Sequence, residues 1–549
     1  MKLGSFIVKL VKQLGVKQVF GVPGDYNLRF LDFIEESKKV DWIGNCNELN
    51  ASYSADGYAR ENGIGVLVTT HGVGELSAAN GVAGSFAHNV SVLHIVGYPS
   101  SSIIDNDIPV HHTLGNYKKN NFLEAFNPIC GATTILTELN YIEEINRVIS
   151  NMLTTKKPAY LGIPTNLLDM EISEDIEDMI FRFKNSDDYR VEEVGNIISA
   201  KFNQSKKPMM LLGVNIARFG WRSVVTDVLR KTQLQFTTTL MGKSVISDKE
   251  IARSNYMGIY AADYSTDGVV AHMQESDCII SIGTVETDLN TGGFSEHDIN
   301  YDNVITIRPQ SVKIGKKVYT GISVDKLLEY MSENLDLKKD IYPRLGQKNI
   351  DKNTLKGKKL NQKDFWPIVA NEIIKEDDIV VAEAGSALFG LLPQNLPAGI
   401  DFVSQILWAS IGYTLPAAIG SAIAAPKRRV LLFIGDGSFQ LTAQEVSLIA
   451  KYNLNVTIFL INNDGYTIER AIHGPNQPYN DIYMWDYLQF AKSLGIKNLM
   501  SIKRFDEFFD GIDKMREDGA KMIELFFEKL DYPPLLKQIS DKLAAANQS

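Results

Sequence analysis

The segment that decides the fold is Val430-Leu-Leu-Phe-Ile-Gly-Asp-Gly-Ser-Phe-Gln-Leu441, followed after a helix-length interval by Asn455-Val-Thr-Ile-Phe-Leu-Ile-Asn-Asn-Asp-Gly465. Each part begins with a short apolar run and ends in a polar turn that contains glycine. Buried parallel strands have this composition, because helices cover both faces of their sheet. The segment therefore predicts two neighbouring parallel strands joined by a helix.

A second copy of this pattern lies near the N-terminus, in residues 66–76 and 89–96. The first strand recurs after 364 positions (Val66 to Val430) and the second after 366 (Val90 to Val456). Helices rich in alanine, glycine and serine are predicted before both copies, over 51–59 and 409–424. We infer two related α/β domains that flank a third.

Strand-like and helix-like segments alternate along the whole chain, which is typical of α/β proteins with parallel sheets. We expect three parallel-sheet α/β domains over residues 1–180, 181–340 and 341–549. The last range includes a linker over 341–360, where lysine, aspartate and asparagine are frequent and apolar residues are few.

The composition limits the classes of function. The chain has 549 residues, of which 44% are hydrophobic and 22% charged, and its formal net charge is −10. The acidic balance argues against a nucleic-acid-binding protein, because phosphate contacts need a basic surface. Three cysteines without C-x-x-C spacing argue against a disulfide framework or a zinc site. No apolar run is long enough to span a bilayer, so we expect a cytoplasmic protein without nucleic-acid or membrane partners.

Polar side chains follow both C-terminal strands of the deciding segment. Asp436 ends the first strand, and Asn463 and Gly465 follow the second. The carboxyl ends of neighbouring parallel strands lie side by side, so these turns can meet. A carboxylate, an amide oxygen and a backbone carbonyl near Gly465 would form an incomplete oxygen shell, which suits Mg²⁺ that also binds phosphate. Gly437 and Ser438 open a helix whose free N–H groups could hold that phosphate.

Six further motifs accompany these turns. They are Gly21-Val-Pro-Gly-Asp25, Asn47-Glu-Leu-Asn-Ala51, Asp56-Gly-Tyr-Ala-Arg60, His111-His-Thr-Leu-Gly115, Trp408-Ala-Ser-Ile-Gly412 and Asn463-Asp-Gly-Tyr-Thr-Ile-Glu469. With Gly435-Asp-Gly-Ser438, they resemble the thiamine-diphosphate enzymes, in particular the group of pyruvate, indolepyruvate and branched-chain 2-oxo-acid decarboxylases. The resemblance extends over almost the whole chain.

This resemblance implies the fold and the reaction. Residues 1–180 would be a pyrimidine-binding domain, 181–340 a middle domain and 341–549 a diphosphate-binding domain. The cofactors would be thiamine diphosphate and Mg²⁺. The reaction would be non-oxidative decarboxylation of pyruvate or another short aliphatic 2-oxo acid to an aldehyde and CO₂, through the ylide and enamine forms of the cofactor. Indolepyruvate or branched-chain substrates, carboligation and a non-catalytic thiamine-binding role remain alternatives. In the family the site forms between subunits, which implies a dimer and suggests a homotetramer.

The resemblance also assigns roles to residues. It implies that Glu48 protonates the aminopyrimidine, and that an ionisable cluster handles the substrate carboxylate and protons. This cluster comprises Asp25, His111, His112 and Glu469. Because neighbours in an extended strand face opposite sides, we expect that only one of the two histidines needs to face the substrate.

The cofactor and substrate contacts come from the C-terminal third of the chain. The cofactor-binding residues implied are Ser386, Ala409, Ser410, Ile411, Asp436, Gly437, Ser438, Asn463, Tyr466, Thr467 and Ile468. Ile411 would bend the cofactor, and Ala409 would contact it through its backbone carbonyl. The metal ligands would be Asp436, Asn463 and Gly465, and the substrate pocket would contain Leu388, Ile468 and Ile472.

Three positions depart from the family pattern. His71 replaces a usual phenylalanine, His88 a usual glutamate, and Ala384 a threonine found in some relatives. Ala384 leaves any side-chain contact from that position in doubt. We expect the two histidines to change stability, pH response or turnover without removing the chemistry.

Overall fold

The computed structural model describes residues 1–116, 118, 120–173, 190–295, 299–343 and 350–546. It contains three sheets in chain order, each covered by helices. The expected boundary at 180/181 lies outside the described residues, as do residues 344–349 of the expected linker. Before that gap, Tyr342 is buried and its hydroxyl donates to the Lys207 carbonyl of the middle unit.

The N-terminal unit is a six-stranded parallel sheet in the order β2-β1-β3-β4-β6-β5. Its strands are β1 Gln18–Gly21, β2 Asp41–Gly44, β3 Gly65–Thr70, β4 Val92–Tyr98, β5 Ala132–Ile135 and β6 Ala159–Pro164. Its helices are α1 Leu3–Gln13, α2 Leu28–Ser37, α3 Glu48–Asn62, α4 Val73–Ala87, α5 Ser101–Asp105, α6 Asn121–Phe126 and α7 Tyr141–Thr155. Every residue of β3, β4 and β6 is buried, as expected for strands covered on both faces.

The middle unit is a seven-stranded mixed sheet in the order β13-β12-β11-β10-β7-β8-β9. Its strands are β7 Pro208–Leu212, β8 Phe236–Thr238, β9 Tyr256–Ile259, β10 Cys278–Ile282, β11 Val304–Arg308, β12 Ser311–Ile314 and β13 Lys317–Thr320. Its helices are α8 Val191–Gln204, α9 Asn215–Arg218, α10 Arg222–Thr232, α11 Lys249–Asn255, α12 Val269–Glu275 and α13 Val324–Asn334. The expectation of a parallel sheet is corrected at one edge, because tight turns make β12 and β13 antiparallel.

The strand order of the middle sheet reverses between β7 and β10, where open α/β sheets commonly bind ligands. Here Gly213 and Gly283 follow the two strands and touch. A Cβ atom on Gly213 would overlap the Gly283 carbonyl oxygen, and the Gly213 N–H donates to the Ile282 carbonyl at 2.8 Å. The two loops are therefore closely packed against each other at this point.

The C-terminal unit is a six-stranded parallel sheet in the order β15-β14-β16-β17-β19-β18. Its strands are β14 Ile379–Ala382, β15 Asp401–Val403, β16 Val430–Gly435, β17 Val456–Asn462, β18 Asn498–Ile502 and β19 Lys521–Phe526. Its helices are α14 Gln362–Ile368, α15 Ser386–Leu391, α16 Thr414–Ala424, α17 Asp436–Thr442, α18 Val446–Lys451, α19 Thr467–Ile472, α20 Tyr487–Ser493, α21 Phe505–Arg516 and α22 Pro534–Ala546. Numbered within each unit, the strand order equals that of the N-terminal sheet, as the internal repeat leads one to expect.

Helices α3 and α16 join the two related units. A Cβ atom on Gly57 would overlap the backbone of Ala417, and one on Gly420 would overlap the Ser54 carbonyl oxygen. Ser421 Oγ donates to the Gly57 carbonyl at 3.1 Å, which links residues 364 positions apart. The small residues of the two predicted helices therefore allow the backbones to touch.

The second of these helices begins later than predicted. The sequence indicates a helix over 409–424, whereas α16 starts at Thr414. Ala409 and Gly412 have positive φ angles of 52° and 87°, which are incompatible with a right-handed helix. The preceding segment is thus a turn that ends in a helix.

We expect Gly420→Ala to destabilise the protein by about 3 kcal/mol or more, because two helix backbones must separate to admit one methyl group. A matched control is Gly15→Ala, where φ is +83° and no atom lies within 4 Å of the added Cβ. It should cost only the left-handed backbone energy of about 1 kcal/mol. Thermal unfolding of both variants tests this, and equal midpoints would show that the helix contact is not close.

Candidate active site

Asp436 lies at the point where β16 meets α17, and its side chain is fully buried. Its carboxylate accepts the N–H of Gly437 at 2.8 Å, of Asn463 at 3.2 Å and of Gly465 at 3.1 Å. Burial raises the pKa of Asp436 to about 6, against the lowering effect of these backbone hydrogen bonds. The turns after β16 and β17 therefore meet, as the sequence predicts.

The donor set at this edge fits a hard cation. Asn463 Oδ1 is buried and has no hydrogen-bond partner among the residues that the structure describes. An unpaired buried amide oxygen is costly unless something coordinates it. The Gly465 carbonyl accepts the Thr467 N–H at 3.1 Å and keeps a second lone pair. Oxygen ligands from a carboxylate, an amide and a carbonyl are those that Mg²⁺ prefers.

The surroundings of these turns leave little freedom. A Cβ atom on Gly437 would come within 2.6 Å of the Tyr466 ring, so the glycine permits this ring to pack against the start of α17. Ser438 and Thr467 are buried, and Thr467 Oγ1 donates to the Lys529 carbonyl at 3.1 Å. Packing holds the predicted diphosphate-binding residues of this edge in place.

A second cluster lies in the N-terminal unit. His111 Nε2 contacts the Asp25 carboxylate, and His112 Nδ1 lies 3.6 Å from Asp25 Oδ1. The extended backbone on which the expectation for the two histidines rests is not observed, because His112 has a φ of +65° and the chain turns there. Tyr26 stacks on His111 with ring centroids 5.1 Å apart. One carboxylate thus contacts both imidazoles.

The electrostatics of Asp25 follow from this contact. Burial acts to raise its pKa, but the hydrogen bond and charge of His111 and the charge of His112 outweigh it. The net result is a pKa below the usual value for aspartate. Asp25 therefore stays ionised and can hold an imidazole in a fixed orientation.

Glu48 is the first residue of α3. It is half-buried rather than buried, and its carboxylate forms no hydrogen bond with any residue in the described part of the chain. A Cβ atom on Gly74 would lie 3.2 Å from Glu48 Oε1, so the carboxylate lies beside the start of α4. The side chain is free to serve an external group.

The turn before α16 presents the other predicted cofactor residues. Ser410 Oγ lies 2.6 Å from the Tyr53 hydroxyl and accepts the Asn80 amide at 3.0 Å. Ile411 is exposed, although its side chain is apolar. Ala409 has a left-handed backbone conformation, so the peptide groups of this segment do not follow a helical path.

The departures from the family pattern have defined places. His88 is buried, and its Nε2 accepts the Trp408 N–H at 3.2 Å. Burial and the charge of Arg60 lower its pKa well below the usual value. His71 Nδ1 lies 3.1 Å from Glu75 Oε1, and its ring packs against Tyr98 at 4.4 Å. Both histidines are interior residues of the N-terminal unit.

Sequence reasoning missed Glu383. This buried residue follows β14, accepts the Ala384 N–H at 3.1 Å and accepts the Thr414 hydroxyl at 2.6 Å. Burial raises its pKa to about 7, against these hydrogen bonds. It ties the segment before Ser386 to the first residue of α16. The one available signal was an acidic residue directly after a fully apolar strand.

The predicted substrate residues are only partly assembled. Leu388 is fully buried in an apolar cluster at the interface with the middle unit, and half-buried Ile468 packs against this cluster. Ile472 does not belong to it. Ser386 is buried at the start of α15, and Glu469 is exposed on α19.

The two halves of the predicted site are separate within one chain. The first half contains Asp25, Glu48, His111 and His112, and the second contains the residues around Asp436, Ile411 and Glu469. Among the described residues, no hydrogen bond, ion pair or ring contact joins one half to the other. Exposed apolar side chains accompany both halves, namely Val73, Leu76, Trp408, Ile411 and Leu441.

All three cysteines are free. Within the described part of the chain, no helix is both long and apolar enough to cross a membrane.

Comparison with known proteins supports one family along the chain. Family profiles match at residues 1–121 (thiamine pyrophosphate enzyme, N-terminal TPP binding domain), 197–326 (central domain) and 394–525 (C-terminal TPP binding domain). Similar curated proteins include pyruvate decarboxylase isozymes 2 and 1 of Saccharomyces cerevisiae, at 35% and 36% identity over 99% of both chains. Pyruvate decarboxylase of Candida albicans is 35% identical over 97% of this chain and 96% of its own. The chain therefore belongs to the thiamine-diphosphate-dependent 2-oxo-acid decarboxylases.

Proposed function

We propose that the protein converts pyruvate and other short aliphatic 2-oxo acids to the corresponding aldehyde and CO₂. The observation that carries the proposal is the cluster in which one ionised carboxylate contacts two imidazoles. Decarboxylation without oxidation requires that a proton replace CO₂ on the former carbonyl carbon, and an imidazole nitrogen can accept and donate such a proton.

Thiamine diphosphate, when bound, supplies the carbon nucleophile and holds the electron pair left by CO₂. The protein would bind it through Mg²⁺, with Asp436, Asn463 Oδ1 and the Gly465 carbonyl as ligands. Glu48 would share a proton with the ring nitrogen of the cofactor through its unpaired carboxylate. His111 and His112 would orient the substrate carboxylate and deliver the proton, with Asp25 holding His111 by a hydrogen bond and lying beside His112.

The separation of the two halves favours a site shared between subunits. Glu48 lies free on the N-terminal unit, and Ile411 lies exposed on the C-terminal unit. A second copy that covers the accompanying apolar side chains would bring the halves together. We therefore propose an isologous dimer with two sites, which can pair further into a homotetramer.

We also propose 1–180, 181–340 and 341–549 as the domain boundaries.

We expect the side chain of Ile468 to limit the range of substrates. This β-branched side chain leads into Glu469 and packs against the apolar cluster that contains Leu388. It would limit the width available to the substrate side chain. A methylene in an apolar pocket changes discrimination by about 1 to 3 kcal/mol, so the preference should be graded.

We expect kcat/KM to fall in the order pyruvate, 2-oxoisovalerate, phenylpyruvate. Ile468→Ala should raise the ratio of 2-oxoisovalerate to pyruvate by about tenfold, because it removes bulk and no ionisable group. An aldehyde-coupled assay with thiamine diphosphate and Mg²⁺ gives kcat/KM for each substrate, in the parent protein and in Ile468→Ala. An unchanged ratio would remove Ile468 from the pocket, and ketol formation without free aldehyde would favour carboligation.

Glu48→Gln should lower kcat by about 10²- to 10⁴-fold, since the amide keeps the shape but cannot transfer the proton. Thiamine diphosphate should still bind, as judged by calorimetry. Glu35→Gln, an exposed glutamate of α2, is the matched control and should behave like the parent protein. Activity close to that of the control would contradict the role of Glu48.

Mixing two inactive variants tests the shared site. Asp436→Ala should bind neither Mg²⁺ nor diphosphate, and Glu48→Gln should not turn over. If one chain supplies Glu48 and the other Asp436, an equimolar mixture refolded or exchanged together should recover about one quarter of the parent activity. No recovery in a mixture shown by mass to contain heterodimers would mean that each site lies within one chain.

A further inference from the structure

The turn that carries two of the proposed metal ligands has an unusual backbone. Asp464 has a φ of +59° and Gly465 a φ of +120°. A non-glycine residue in the left-handed region is uncommon, and such a conformation persists where neighbouring groups hold it. A neighbouring side chain holds this turn by hydrogen bonds.

Arg470 of α19 reaches back to the turn and is almost fully buried. Its Nη1 donates to the Asn463 carbonyl at 3.1 Å, and its Nη2 contacts the Asp464 carbonyl. Nη2 also donates to the Asn480 carbonyl at 3.1 Å. One rigid guanidinium thus connects two consecutive peptide groups of the turn to a loop on its far side.

The positive charge of Arg470 is balanced locally. Asp481 Oδ1 accepts Nη2 at 2.7 Å and lies 3.0 Å from Lys529 Nζ, which in turn lies 2.7 Å from Asp464 Oδ2. Because the carboxylates offset the two cations, Arg470 can lie beside a metal site without repelling a divalent ion strongly.

We propose that Arg470 is a positioning residue that sets the Mg²⁺ affinity of the site. This inference rests on the function proposed above. Arg470 holds the carbonyl of Asn463, whose N–H binds Asp436 and whose unpaired Oδ1 is the proposed ligand. Without this hydrogen bond the backbone of Asn463 could shift, which would move its side-chain Oδ1 relative to the Asp436 carboxylate. The planar fork of arginine suits several carbonyls at once, whereas the lysine ammonium does not.

The test compares metal binding in Arg470→Gln, Arg470→Lys and the parent protein. Mn²⁺, monitored by its electron paramagnetic resonance with saturating thiamine diphosphate, reports the affinity directly, and Mg²⁺ competition gives the Mg²⁺ value. Groups that orient metal ligands typically contribute about 10- to 100-fold in affinity. We expect a loss of that size in Arg470→Gln and a smaller one in Arg470→Lys. Excess Mg²⁺ should restore most of kcat in both.

Arg429→Gln is the matched control. Arg429 is a buried arginine of the same unit that pairs with Asp378 and donates to the Ile373 carbonyl. Its loss should lower thermal stability and leave Mn²⁺ affinity unchanged. An equal loss of affinity in this control would overturn the inference, because general loosening would then explain both results.

The outcomes separate the inference from the function on which it rests. Failure of the parent protein to bind thiamine diphosphate with Mg²⁺ would overturn both. Binding by the parent protein together with an Mn²⁺ affinity within twofold in folded Arg470→Gln would overturn the inference alone. If Arg470→Gln does not fold, Arg470→Lys and Asp481→Asn decide, and unchanged affinity in both would overturn it.

Discussion

The backbone contact between α3 and α16 is the constraint on which the rest of the structure depends. Gly57 and Gly420 allow two helices from the related units to touch, and residues 364 positions apart face each other across the contact. Glu48 begins one of these helices, and the turn with Ile411 precedes the other. The helix pair therefore fixes where the two halves of the proposed site lie relative to each other in the chain.

The strand pattern and the Asp436 turns could be predicted, because apolar runs that end in glycine-rich polar turns have few other solutions in a parallel sheet. The turn over 409–413 could not, since its alanine and serine favour a helix until Gly412 breaks it. In the sequence, Arg470 is one of many charged helix residues, and Glu383 is an acidic residue directly after a strand. Their contacts join groups 6 to 11 positions away for Arg470 and 31 positions away for Glu383, and hydrophobic periodicity carries no information on them. His112 likewise depends on a single backbone angle.

Hydrogen bonds from backbone N–H groups give the Asp436 site a particular character. Three of them converge on one buried carboxylate and keep it in place without help from a cationic side chain. The carboxylate thereby keeps its negative charge available to a cation, while burial makes that charge costly on its own. A divalent ion at the proposed site would relieve this cost and would also coordinate Asn463 Oδ1.

The close contact between Gly213 and Gly283 restricts which residues the middle unit can accept at these positions. Its strand order reverses between β7 and β10, as in dinucleotide-binding sheets, and a side chain at Gly213 would overlap the loop after β10. The middle unit also packs on the C-terminal unit through the apolar cluster that contains Leu388. A redesign of the middle unit would therefore have to keep the surface that packs around Leu388, because a change there would reach the proposed substrate pocket.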